Sequence, residues 1–120
     1  LENLSYEEKR MDKFRDYHEL LIESLQDPAE AQAYLEVAIE EFILDHDRAA
    51  FLQALRAVAE AQGGLLNLSK KSNLNRQNLY KALSPRGNPK LDTVGSIIKG
   101  LGFRISIELD NNPNARTNPL

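Results

Sequence analysis

The chain has 120 residues, 42% of them apolar, with 15 basic and 18 acidic side chains and a formal net charge of −3. That is enough for one domain with a real core and an extension. The absence of cysteine excludes disulfides, thiol chemistry and a Cys-based metal site. No apolar run reaches the length of a membrane span and no basic-then-apolar leader opens the chain, so a cytoplasmic protein without membrane contact is expected. Opening on Leu1 rather than Met, the sequence reads as trimmed at its start.

Residues 1–5 carry no pattern. A first helix is expected from Tyr6 to Leu25, with Met11, Phe14, Tyr17, Leu21 and Leu25 along one apolar stripe. Asp27-Pro28-Ala29-Glu30 is a helix start. Asp27 caps, Pro28 sits where a missing amide costs nothing, and Glu30 closes a capping box. This second helix runs to Leu44, with Tyr34, Leu35, Ala38, Ile39 and Phe42 inward and Glu36, Glu40 and Glu41 outward. Asp47 caps a third helix, Arg48 to Gln62, whose core face is Phe51, Leu52, Leu55, Val58 and Ala59. Gly63-Gly64 ends it, since glycine takes the positive φ of a helix stop.

Leu65 to Leu83, LLNLSKKSNLNRQNLYKAL, reads as two short helices around a tight turn. Leu65 and Leu68 share a face of the first; Leu79, Ala82 and Leu83 share a face of the second. Asn73 suits a left-handed turn, Leu74 plugs the angle, and Asn75 caps the second helix. That leaves Arg76, Gln77, Asn78, Tyr80 and Lys81 outward. Arg, Gln and Asn carry the forked donors and acceptors that match base edges in a major groove. A helix-turn-helix presents such residues at the start of its second helix, whereas an ordinary αα-hairpin presents only a solvated polar face. Charge separates the two. From Leu65 to Lys90 there are six basic residues (Lys70, Lys71, Arg76, Lys81, Arg86, Lys90) and no acidic one. A solvated face mixes signs; a one-sign patch is the footprint of phosphate binding.

The expected roles follow. Asn75, Arg76, Gln77, Asn78, Tyr80 and Lys81 face bases. Lys70, Lys71, Ser84, Arg86, Asn88 and Lys90 hold phosphates. Ser84 to Pro89 forms a turn-rich loop, and Leu91 to Leu101 a sixth helix with Leu91, Val94, Ile97, Ile98 and Leu101 inward. Residues 1–62 hold fifteen acidic and six basic side chains, so the low pI of about 5.4 hides a segregated charge. An acidic half beside a basic patch suggests two different partners, or else Glu-rich helices serving solubility.

Phe103 to Leu109 alternates apolar with polar, the period of a half-buried strand. With no second strong strand in the chain, pairing with another copy is expected, giving a two-fold dimer through 103–109. Residues 110–120, rich in Asn and Pro, read as a disordered tail. The organisation expected is an acidic helical extension over 1–46, a helix-turn-helix domain with a strand over 47–109, and the tail.

Taken in order, LNLSKKSNLNRQNLYKALSPRGNPKLDTVGSIIKGLGFRISIE resembles the C-terminal half of addiction-module antidote proteins, the HigA-like antitoxins of the Xre/Cro-type helix-turn-helix group. DPAEAQAYLEVAIEE and AFLQALRAVAEAQGG resemble the segments before it. The resemblance runs from Asp16 to Glu108. It implies a mainly α, lambda-repressor-like helical domain that dimerises on its own DNA operator. It also implies neutralisation of a cognate toxin, a RelE-like ribonuclease. Three positions depart mildly from the group's pattern: Ser69 for a usual Ala, Asn73 for Gly, and Asn75 for Ser. A stand-alone regulator without a toxin and a helical interaction module without nucleic acid are the rival expectations. No catalytic residue, metal site or cofactor is expected. His18 and His46 stand alone, and Asp45-His46-Asp47 and Glu40-Glu41 lie at a helix end, where capping and solvation explain them.

Overall fold

The computed structural model describes residues 5–112. It is mainly helical, with α1 Tyr6–Ser24, α2 Pro28–Asp45, α3 Arg48–Ala61, α4 Gly64–Ser72, α5 Arg76–Ala82 and α6 Leu91–Gly100. These bounds lie within a residue of those expected. The local stop and start signals work as chemistry dictates. Asp27 takes the Ala29 N–H at 3.0 Å, and Asp47 takes the Ala50 N–H at 3.1 Å. The capping box expected at Glu30 does not close; the Asp27 N–H that Glu30 would have bonded goes instead to the Ser24 carbonyl at 3.3 Å. Gly63 and Gly64 take φ of +113° and +88°, turning the chain from α3 into α4.

α3 is the central rod. Phe51, Leu52, Leu55 and Ala59 join Leu65 and Leu68 of α4, Leu79 and Ala82 of α5 with its C-cap Leu83, and Ile97 of α6 in the main core. Its other side carries Ala57 and Val58 into a second cluster with Leu25 and Ala31. Gln62 pins this second cluster: its amide donates to the carbonyls of Leu25 at 2.7 Å and Gln26 at 3.1 Å, tying the α1–α2 link to the end of α3. Each fully buried Leu, Ile or Val contributes about 1.5–3 kcal/mol relative to an exposed one. The seven largest such side chains are Leu52, Leu55 and Val58 of α3, Leu79 of α5, Ile97 of α6, and Leu25 and Leu83 just past the ends of α1 and α5.

Four further expectations are corrected. Ile39, expected on the inner face of α2, is exposed. On α1, only the C-terminal end of the stripe packs: Leu25 is buried and Leu21 half-buried, but Met11, Phe14 and Tyr17 are exposed, because α1 meets α3 and little lies beside its first half. Leu91 opens α6 at 81% exposure, since the core face of that helix begins a turn later at Val94. The strand over 103–109 is not formed: among the described residues there is no strand. Phe103 bonds back to the Ile98 carbonyl at 3.1 Å and packs into the second cluster. Beyond it Ile105, Ile107 and Leu109 stand exposed, and among the described residues no strand pairs with them. Most of the expected tail lies outside the described residues.

Candidate functional site

The helix pair α4–α5 owes its shape to three backbone decisions. Asn73 ends α4 at φ +59°, the left-handed conformation a helix stop requires. Leu74 is half-buried against the main core, filling the angle between the helices. The Asn75 side chain accepts the Asn78 N–H at 2.7 Å and so caps α5. Leu79 and Ala82 then fix the inward face of α5.

With that face buried, Arg76, Gln77, Asn78, Tyr80 and Lys81 are all exposed, as are Asn75, Lys70 and Lys71. None of Lys70, Lys71, Arg76, Lys81, Arg86 and Lys90 is in an ion pair among the described residues. Their charge is therefore uncompensated at short range, which is what a polyanion needs to find. Ser84 is half-buried and its hydroxyl donates to the Lys81 carbonyl at 2.8 Å, so it closes the end of α5 as well as facing outward. Lys90 holds the N-cap position of α6.

The loop carrying Arg86 and Asn88 is anchored at Gly87. That residue is buried, its N–H bonds the Ser84 carbonyl at 2.9 Å, and any Cβ there would overlap the Ala82 carbonyl. Its own carbonyl accepts Arg48 Nε at 3.0 Å. Gly100 plays the corresponding part between α4 and α6, lying against Leu68 and Ser72 where a side chain would collide.

Two side chains that touch this surface were not found from sequence. Arg48, at the first position of α3, holds the 84–89 loop through the Gly87 carbonyl. Arg56 lies with its guanidinium 5.8 Å from the centre of the Tyr80 ring. Arg56 also approaches Glu60 at 3.4 Å, and the other Glu60 oxygen lies 3.3 Å from His18 Nε2 of α1. A four-residue spacing marks Arg56 and Glu60 as helix neighbours, but their contacts to α1 and α5 are tertiary and leave no trace in the sequence. Among the described residues no group of three potential metal ligands occurs, and no helix is long and apolar enough to cross a membrane.

These features define a class: a small, mainly helical protein with a cationic helix pair on one part of its surface and carboxylate-rich helices on another. The family described as "Probable addiction module antidote protein" matches residues 17–109, and the chain belongs to that family. Membership places it in a toxin–antitoxin module with a cognate toxin as partner. A Haemophilus influenzae protein described as uncharacterized is 30% identical over 86 residues, covering 72% of this chain and 84% of the relative. No solved structure matches.

Proposed function

We propose that this protein is a sequence-specific DNA-binding antitoxin that represses its own operon as a dimer and neutralises a RelE-like ribonuclease. The observation that carries the DNA half is the exposed polar face of α5, set among six cations that pair with no carboxylate among the described residues, with no acidic neighbour in the window 65–90. In a lambda-repressor-like domain that face would enter the major groove, Arg76 and Gln77 reading bases with Asn75, Asn78, Tyr80 and Lys81 beside them. Lys70, Lys71, Ser84, Arg86, Asn88 and Lys90 would hold phosphates and fix the register. The exposed alternating Ile105, Ile107 and Leu109 favour a two-fold pairing of segment 103–109 between copies, which would supply the missing ladder. Family membership favours an antitoxin over a stand-alone regulator. The toxin half rests on the acidic helices α1 and α2, since a ribonuclease must attract phosphate and a negative surface can cover its groove.

Gel shifts on the DNA upstream of the gene test the first half. Gln77→Ala should cost about 1–3 kcal/mol on the operator and relax preference at one base pair. Lys70→Ala should weaken operator and random DNA alike and flatten the salt slope. Equal losses on both DNAs for Gln77→Ala would remove it from base reading.

A further inference from the structure

α2 carries Glu30, Glu36, Glu40, Glu41 and Asp45 and no Lys or Arg. None of these carboxylates is in an ion pair among the described residues. They are not equivalent. An open trough of about 300 Å³ runs between α2 and α3, with Phe42, Phe51 and Ala54 among its lining and Glu41, Asp45 and Asp47 around it. No Lys or Arg lines it. The Phe42 and Phe51 rings pack 5.8 Å apart, giving part of it an apolar wall. Two of its carboxylates are held in place: Asp45 accepts the Asp47 N–H at 2.9 Å and Asp47 accepts the Ala50 N–H at 3.1 Å. The Glu41 carboxylate has no hydrogen-bond or ion-pair partner among the described residues.

A hydrophobic slot with a one-sign rim selects its occupant. An aliphatic or aromatic side chain alone would leave three carboxylates unanswered, and an acidic one would be repelled. An Arg or Lys fits both parts, its methylene stem on the apolar wall and its charge at the rim. The volume suits one or two such side chains rather than a helix. The geometry points to this trough as the seat of a cationic side chain of the cognate toxin, projected from an amphipathic segment. The inference rests on the toxin-binding role given to the acidic helices, and narrows it to one side of α2.

Helix geometry supplies a matched test. Val37, Glu41 and Asp45 follow one another at four-residue steps and all line the trough. Glu36 and Glu40 form another such row, about 100° around the helix, and line no part of it. The full chain is co-expressed with the tagged product of the neighbouring reading frame, and affinity is measured for each variant. Glu41→Lys and Val37→Lys, both at exposed positions, should each weaken capture at least about tenfold, while Glu40→Lys should weaken it less than about threefold. Equal losses for Glu41→Lys and Glu40→Lys would overturn the trough, since the toxin would then sense only net charge. Unchanged binding by both Glu41→Lys and Val37→Lys would overturn it too. Failure of the wild-type chain to hold the toxin would instead overturn the toxin-binding role of the acidic helices, and the trough with it. Helix content by circular dichroism confirms that each variant compared is folded.

Discussion

The guanidinium of Arg56, on the central helix, lies over the ring of Tyr80, on the exposed helix of the α4–α5 pair, at 5.8 Å from its centre. Both side chains are only partly covered, so the contact is worth about 0.5–1 kcal/mol and the Arg56–Glu60 pair no more. Arg56→Ala removes both and should therefore lower stability by about 2 kcal/mol at most. Its larger effect should be on Tyr80, which loses the group that limits its rotamers. Discrimination between operator and random DNA should fall while salt dependence stays the same. Fluorescence anisotropy on both DNAs at two ionic strengths checks this.

Gly87 has no room for a side chain, because the Ala82 carbonyl occupies the space. Gly87→Ala must push the 84–89 loop away from α5 and strain its link to Arg48. The expected loss is about 1–3 kcal/mol of stability, the range for overpacking a filled site. Arg48→Ala keeps the loop's space and removes one hydrogen bond, so it should cost about 0.5–1.5 kcal/mol. Urea denaturation should rank them in that order.

Gly100 sets the distance between α4 and α6. A Cβ would stand 2.9 Å from Leu68 Cδ1 and 3.2 Å from Ser72 Cβ. The Leu68 methyl can swing aside, but Ser72 is buried and its Cβ moves only with the helix. In Gly100→Ala the helix-propensity gain of up to about 1 kcal/mol partly offsets the crowding. Gly100→Val has no such compensation and should destabilise by about 1–3 kcal/mol. Chemical denaturation of the pair separates the two effects.

Tyr34 has its hydroxyl pKa raised from 10.0, first by burial, then by the nearby Tyr17 and Glu41. The fold thus favours the neutral phenol. Its contribution to stability is complete below the unfolded-state pKa of 10.0 and is lost as pH rises above it toward the higher folded-state value. Tyr34→Phe, which cannot ionise, should lose less stability than wild type between neutral pH and strongly alkaline solution. Thermal melts of the two proteins across that window measure the difference.

Helix positions were legible because each boundary carries its own local chemistry: Asp27 with Pro28, Asp47, Gly63-Gly64, and Asn73 with Asn75. The outward set on α5 was legible too, because Leu79, Ala82 and Leu83 can be buried together in only one orientation of that helix. Depth along α1 was not. Met11, Phe14 and Tyr17 have the spacing of a core stripe, and periodicity cannot say whether another element arrives to cover it. Segment 103–109 shows the same limit, since alternation describes a chain fit for a ladder without supplying the second rail. The capping expected at Asp45-His46-Asp47 holds, but the left-handed turn His46 takes there, at φ +59°, is one that Asn or Gly would have announced and a histidine does not.

The carboxylates of α2 also set Glu36 against Glu40 and Glu41 against Asp45 at a spacing where like charges cost each helix turn about 0.2–0.5 kcal/mol. Dissolved ions mute that quarrel, with a screening distance near 8 Å at about 0.15 M. Sodium chloride should accordingly raise the melting temperature of the free protein over the same range in which it would loosen any hold on a nucleic acid, so the brine that would strip it from DNA leaves it sturdier.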